Sequence, residues 1–244
     1  MEQIRAPLRA LSWNVGMGSP LPQGERHERA WAWVSGHRPL PDVLLLQQVI
    51  PGRFANGWPV AWGPVFDSRG CRVAIAARPG WMVEPIEIAR PAWARWQGRS
   101  VVVGARVGPP HGPQWTIVSA HVGYEDSATR WLRHLVTELS WVEGPVMIGG
   151  DFNQPVNRTP RQSRMFEAAA FAGFHFVCGS GDELLPTTER SQTDHLWVRG
   201  VDIDHLDWRI DATVQAGPDP LAGHAALWFT GWPAAAAADG VATG

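Results

Sequence analysis

Eight short apolar runs mark the chain, at 8–15, 43–49, 72–77, 100–107, 115–122, 146–150, 195–198 and 225–229. Each is rich in Val, Ile, Leu or Trp and is bounded by Gly, Pro or Asp, which predicts β-strands. Between some of them the period changes. Ala128, Trp131, Leu132, Leu135, Val136, Leu139 and Val142 recur at helical spacing, so a helix with one buried face is expected there. Asp126 or Ser127 can cap its start, and Gly144-Pro145 stops it. Further helices are expected over about 25–36 and over 161–171. Strands separated alternately by helices and by hairpin-like links predict an α/β chain with a mixed sheet, not an all-parallel one.

With no repeat and no long linker, residues 1–233 are expected to form one domain, followed by a fraying small-residue tail at 234–244. A hydrophobic fraction of 45% and a charged fraction of 18% describe a globular chain of 244 residues. The formal net charge of −2 argues against a general nucleic-acid coat and disfavours long duplex DNA, while leaving room for a local basic groove. All 21 basic side chains are Arg, which grips phosphate or carboxylate in a planar, bidentate way.

Cys71 and Cys178 form no framework, residues 1–9 lack a signal-peptide core, and no apolar run reaches membrane-spanning length. A cytoplasmic protein without a membrane partner is the expectation; oligomeric state is not legible. Fifteen Trp stand against one Tyr. They fill the core and the seams between layers, or those of segment 54–97 wall a pocket for a flat or hydrophobic ligand.

Five motifs carry the chemistry: Ser12-Trp13-Asn14-Val15, Leu45-Leu46-Gln47-Gln48-Val49, Ser119-Ala120-His121-Val122, Gly149-Gly150-Asp151-Phe152-Asn153 and Gly223-His224-Ala225-Ala226-Leu227. Each lies at a strand end. Alternation would send Asp151 and Asn153 to one side and Phe152 into the core, although Asp151–Asn153 also reads as an Asx turn. In their fixed order the motifs resemble the endonuclease/exonuclease/phosphatase superfamily, the deoxyribonuclease I-like proteins. The resemblance implies a four-layer α/β/β/α sandwich of two mixed β-sheets flanked by helices. It also implies a site of Asn14, His121, Asp151, Asn153, Asp194 and His224. In it Asn14 sits beside the nucleophilic water, His121 and Asn153 hold phosphate, and Asp194 orients His224. Pro186-Thr187-Thr188 resembles the family's approach to the Asp194 strand.

The departures matter as much. Family members hold Mg²⁺ or Mn²⁺ mainly through a Glu where this chain has Gln48, and often through an Asp where it has Gly223. Some add an acidic residue where it has Gly16. Gln48 is neutral, so Asp151 is left as the anionic ligand, with Asp219 a candidate substitute. No tightly bound cofactor is expected, only weak Mg²⁺ or Mn²⁺ at Gln48 and Asp151. Arg158, Arg161 and Arg164 form either a solvated helix face or a grip on an anionic substrate, and Arg72 and Arg78 invite the same reading. Asp194-His195 and Asp204-His205 are adjacent pairs whose side chains diverge on a strand, which disfavours chelation.

The resulting expectation is a hydrolase of phosphate esters, phosphodiester or phosphomonoester, with a weakened divalent-metal site. Two alternatives stand beside it: a metal-independent enzyme using the same acid–base groups on a hydrophobic small molecule, and a non-catalytic binding module.

Overall fold

The computed structural model describes residues 6–16, 21–65, 67–95, 100–124, 127–155, 167, 169–177, 186–188, 191–216 and 219–234. Its strands are β1 Leu8–Asn14, β2 Val43–Val49, β3 Val60–Val65, β4 Arg72–Ala77, β5 Met82–Ile86, β6 Val101–Gly108, β7 Trp115–His121, β8 Val146–Asp151, β9 His175–Phe176, β10 Asp194–Arg199, β11 Asp207–Asp211 and β12 Ala226–Gly231. The two described α-helices of more than one turn are α1, Gln23–Gly36, and α2, Ala128–Glu138.

Alternation along the strands sorts the apolar side chains into three layers. One face of β1 and β2 carries Leu8, Val43 and Leu45, which meet Val103, Ile117, Met147 and Leu196 between two sheets. The opposite face carries Leu11, Trp13, Leu44 and Leu46, which pack under Ala30 and Val34 of α1. On the far side, Val118, Ala120, Ile148 and Trp197 pack under Trp131, Leu132 and Leu135 of α2. Each fully buried large apolar side chain contributes roughly 1.5–3 kcal/mol. The result is the expected α/β/β/α sandwich.

The sheets run β11-β12-β1-β2-β4-β3 and β5-β6-β7-β8-β10-β9. Both are mixed: β1 with β2 and β7 with β8 pair in parallel, and the other pairs are antiparallel. The parallel pairs bring the C-terminal ends of β1, β2, β7 and β8 to their sheet ends in register, Asn14 opposite Gln47 and His121 opposite Asp151. Antiparallel β10 then sets its first residue, Asp194, opposite Asp151.

Helix α2 begins at Ser127, whose hydroxyl accepts from Arg130 N–H, but it ends at Glu138, short of Gly144. Tighter turns from Ser140 N–H to Thr137 O and from Val142 N–H to Leu139 O replace the helical ladder. Most of the helix expected at 161–171 lies outside the described residues; within that range, residues 167 and 169–171 are described and are helical. No helix among the described residues is long and apolar enough to cross a membrane.

Candidate active site

The parity that places Met147 between the sheets also turns Gly149 and Asp151 inward, and the same rule on β7 and β10 turns His121 and Asp194 inward. Asn14 does so from β1. The six residues singled out in the sequence thus gather at one end of the sandwich, where the two sheets meet.

Asp151 is at the centre and is 1% exposed. Its Oδ2 accepts from Asn14 Nδ2 at 2.8 Å, and His121 Nε2 and His224 Nε2 lie 3.8 and 3.9 Å from the same oxygen. Its Oδ1 accepts the Asn153 backbone N–H at 2.8 Å. That last bond is the Asx turn the pentapeptide allowed. Asn153 leaves the strand in a left-handed conformation, φ 48°, and its Nδ2 donates to Val122 O at 2.8 Å, so strict alternation does not extend to it. Phe152 goes into the α2-side core and stacks on His195, ring centroids 5.1 Å apart.

His224 Nδ1–H donates to Asp194 Oδ2 at 2.8 Å. Burial pulls the His224 pKa down, but the Asp194 charge and hydrogen bond and the Asp151 charge outweigh it and raise the value to about 9. At neutral pH the ring is an imidazolium. Burial first, and then the Asp194 charge, push the Asp151 carboxyl well above the usual carboxylate range, against the opposing pull of His224, the Asn153 N–H and Asn14. The site therefore pairs an imidazolium at neutral pH with a carboxylate of enhanced basicity.

Four residues not named among the site residues support it. Thr187 Oγ1 accepts from both Thr193 N–H and Asp194 N–H, at 3.0 and 3.1 Å, which fixes the start of β10. Trp13 Nε1 donates to His224 O at 3.0 Å, and Gln215 Nε2 donates to Thr187 O and Gly223 O at 3.1 and 2.8 Å. Ser119, one pleat before His121, receives Gln47 Nε2 at 3.0 Å and itself donates to Leu46 O, tying the sheets together beneath the site. The two-residue periodicity of strand 115–122 was the available signal for Ser119; Trp13 lies on β1 within a quoted motif, Thr187 lies in the Pro186-Thr187-Thr188 segment, and Gln215 ends a short turn with no sequence signal. Tyr124, 80% exposed, stands three residues beyond His121; partial burial and then the charges of Asp151 and Asp194 raise its phenol pKa.

Gln48 does reach the site, by an unexpected route. Alternation would send it to the α1 side. A register shift between Leu46 and Val49 and a left-handed backbone, φ 59°, turn its side chain toward the other sheet instead. Its Nε2 lies 3.2 Å from His121 Nε2, while its Oε1 is buried without a hydrogen bond.

Asp151, Asp194 and His224 are the grouping of His, Cys, Asp or Glu among the described residues compact enough for an ion, their ligand atoms all within 4.8 Å. Their chemistry does not suit Mg²⁺, which seeks about six oxygens in octahedral geometry. Asp194 Oδ2 and His224 Nδ1 are bonded to each other, Asp151 Oδ2 carries an amide donor, and the nearby Gln48 oxygen is neutral. Gly223 supplies no side chain, and Asp219 is exposed. Two acceptors, the neutral Gln48 Oε1 and the Asp194 Oδ1, are buried without a hydrogen bond, well short of about six oxygens.

Arg72, opposite Val49, donates one guanidinium N–H to Gly63 O of the neighbouring strand at 3.0 Å. Arg78 lies at the other end of β4, 2.9 Å from Asp42 and stacked on Trp81. Arg158, Arg161 and Arg164 lie outside the described residues. His195 Nε2 bonds Gln154 O, and His205 Nδ1 bonds Asp202, so neither Asp-His pair chelates through adjacent side chains. The Trp of segment 54–97 are packing residues: Trp58 and Trp62 on the α1-side core, Trp81 on the core between the sheets and Trp93 on Trp131. Trp96 is outside the described residues.

No protein-family model matches the chain, and no curated protein does. Solved structures do. D. rerio TDP2 complexed with single strand DNA product is similar at 17% identity over 93% of this chain and 99% of that one, with a TM-score of 0.68. The human Nocturnin catalytic domain with bound sulfate anion is similar at 16% identity, covering 93% and 96%, with a TM-score of 0.64. An endonuclease/exonuclease/phosphatase family protein from Bacteroides thetaiotaomicron is similar at 13% identity, covering 95% and 96%, with a TM-score of 0.64.

Proposed function

On the deoxyribonuclease I-like fold that this chain shares with those structures, we propose that the Asp151 centre hydrolyses a phosphate ester. The observation that carries the reading is the ring of nitrogens around one buried oxygen: Asn14 Nδ2, which donates at 2.8 Å, and His121 Nε2 and His224 Nε2 at 3.8 and 3.9 Å from Asp151 Oδ2. A water held there lies within reach of a base whose pKa is raised toward neutrality.

The water oxygen forms the new P–O bond and passes a proton to Asp151. The ester P–O bond opposite breaks, and the leaving oxygen takes a proton from solvent. His224, held cationic by Asp194, offers Nε2–H to a phosphoryl oxygen as charge develops there. Asn14 and the Asn153 N–H keep the Asp151 carboxylate aimed. Divalent ions bind weakly, because the donor set lacks the charge to hold them. The ester belongs to a phosphomonoester or phosphodiester. The net charge of −2 leaves open whether a small molecule or a nucleic-acid strand carries it.

The test is turnover of p-nitrophenyl phosphate and bis-p-nitrophenyl phosphate, with and without EDTA. Hydrolysis that persists in EDTA and falls roughly 10²–10⁴-fold in Asp151→Asn and His224→Ala is expected. Absence of turnover over a panel of mono- and diesters, or rates indifferent to Asp151→Asn, would sink the reading. Rates abolished by EDTA and restored by Mg²⁺ would sink its metal-weak form.

A further inference from the structure

Arg26 is a buried guanidinium without a counter-charge among the described residues. It lies near the start of α1 and is 5% exposed, with its Nε sealed from solvent and making no hydrogen bond. The carboxylates along its own helix and the adjoining loop are all engaged by other arginines. Glu25 pairs with Arg29 at 2.7 Å, Glu28 with Arg53 at 2.8 Å and Asp67 with Arg69 at 2.7 Å. Cys71 also lies on this face, joined to Gln23 Nε2 at 2.9 Å. Burial and the Asp67 charge raise its thiol pKa. Burial, and then the neighbouring Arg69, pull the Arg26 pKa down, against a smaller opposing pull from Cys71. The free N–H groups at the N-terminus of α1 add further positive potential. A protein rarely keeps an unpaired charge in such a place, because burying one without a partner is strongly unfavourable.

The location gives the charge a use. The residue after Cys71, Arg72, pairs with Val49, which follows Gln48 directly, and His27, next to Arg26, bonds the Gln48 carbonyl at 3.2 Å. Arg26 therefore sits on the same rim of the sandwich as the Asp151 centre, beyond the end of β2. A planar guanidinium fork and a helix N-terminus are both fitted to phosphate oxygens.

We propose that Arg26 anchors a second phosphoryl group of the substrate, while the group to be cleaved lies at Asp151. The proposal rests on the phosphoesterase reading for the word substrate, but the anion site itself is separately testable.

The experiment is thermal denaturation of the full chain in increasing inorganic phosphate, for wild type, Arg26→Met, Arg26→Lys and His224→Ala. Phosphate should raise the wild-type Tm. The rise should vanish in Arg26→Met, shrink in Arg26→Lys and persist in His224→Ala. Arg26→Met should itself be no less stable without phosphate, since it removes a buried charge. A wild type insensitive to phosphate, or a full response in Arg26→Met, would overturn the proposal. A response lost only in His224→Ala would overturn it too, while favouring phosphate at the reaction centre. Conversely, an Arg26-dependent response in a protein whose hydrolysis ignores Asp151→Asn would keep the anion site and remove the proposed activity.

Discussion

Gln48 and Gly16 are coupled by simple exclusion. A Cβ built on Gly16 would lie 1.5 Å from Gln48 Oε1, so the Gln48 side chain fills the space that any larger residue at 16 would need. The neutral amide and the missing side chain at 16 are thus one arrangement. Gly16→Ala should destabilise the fold by roughly 1–3 kcal/mol, and Gln48→Gly in the same chain, which also removes the Gln48 Cβ that would lie 2.2 Å from the new methyl, should recover most of that, as a double-mutant cycle in urea would show. Histidines make the second residue-level prediction. His195 and His27 are held neutral chiefly by burial, their pKa values lowered to about 4 from 6.5. A lowered pKa means that their contribution is complete above pH 6.5 and is lost as pH falls through about 4. His224 has the opposite sign: its contribution is complete below pH 6.5 and is lost as pH rises through about 9. Tm against pH should therefore fall on both sides of neutrality. His195→Gln should flatten the acid limb and His224→Ala the alkaline one.

Among the elements, the strands legible in the sequence were the interior ones. The eight apolar runs became β1, β2, β4, β6, β7, β8, β10 and β12, while β3, β5, β9 and β11, which the pattern missed, are the four sheet edges. Edge strands have one free flank and are short, charged or interrupted by proline, as Pro64 in β3, Pro85 in β5 and the Asp207–Asp211 strand illustrate. Their hydrophobic signal is weak for the same reason that they resist pairing with other chains. The opposite end of the first sheet has its own fastening. Asp42, 1% exposed, accepts Arg9 N–H at 2.9 Å and lies 3.3 and 2.9 Å from the Arg9 and Arg78 guanidiniums, joining β1, β2 and β4. Both arginines are partly solvated, which screens the pairs, so Asp42→Ala should lower unfolding free energy by about 2 kcal/mol. Hydrolysis measured well below the Tm should be unaffected, because Asp42 is remote from Asp151. A larger kinetic than thermodynamic effect would contradict this picture.

For the molecule as a whole, motif order foretold which side chains converge, because parallel pairing and two-residue alternation act on β1, β7 and β8 in predictable ways. The pose of Gln48 escaped prediction because a bulge reversed its face, and Gln215 because loops follow no period. Gly150 shows how tightly β7 and β8 are set within their sheet: at φ 142°, an added Cβ would lie 2.0 Å from Ala120 O, so Gly150→Ala should fail to give a cooperatively folding protein by calorimetry. The chain path adds a last consequence. Residues 8–77 begin the first sheet, 82–199 build the second entirely, and only then does β12 return to pair with β1. Until that return, β1 has an open flank and Asp194 lacks its imidazole. A nascent or truncated polypeptide ending before 224 would be inert and prone to self-association, and supplying the missing C-terminal peptide in trans should restore both its solubility and its chemistry.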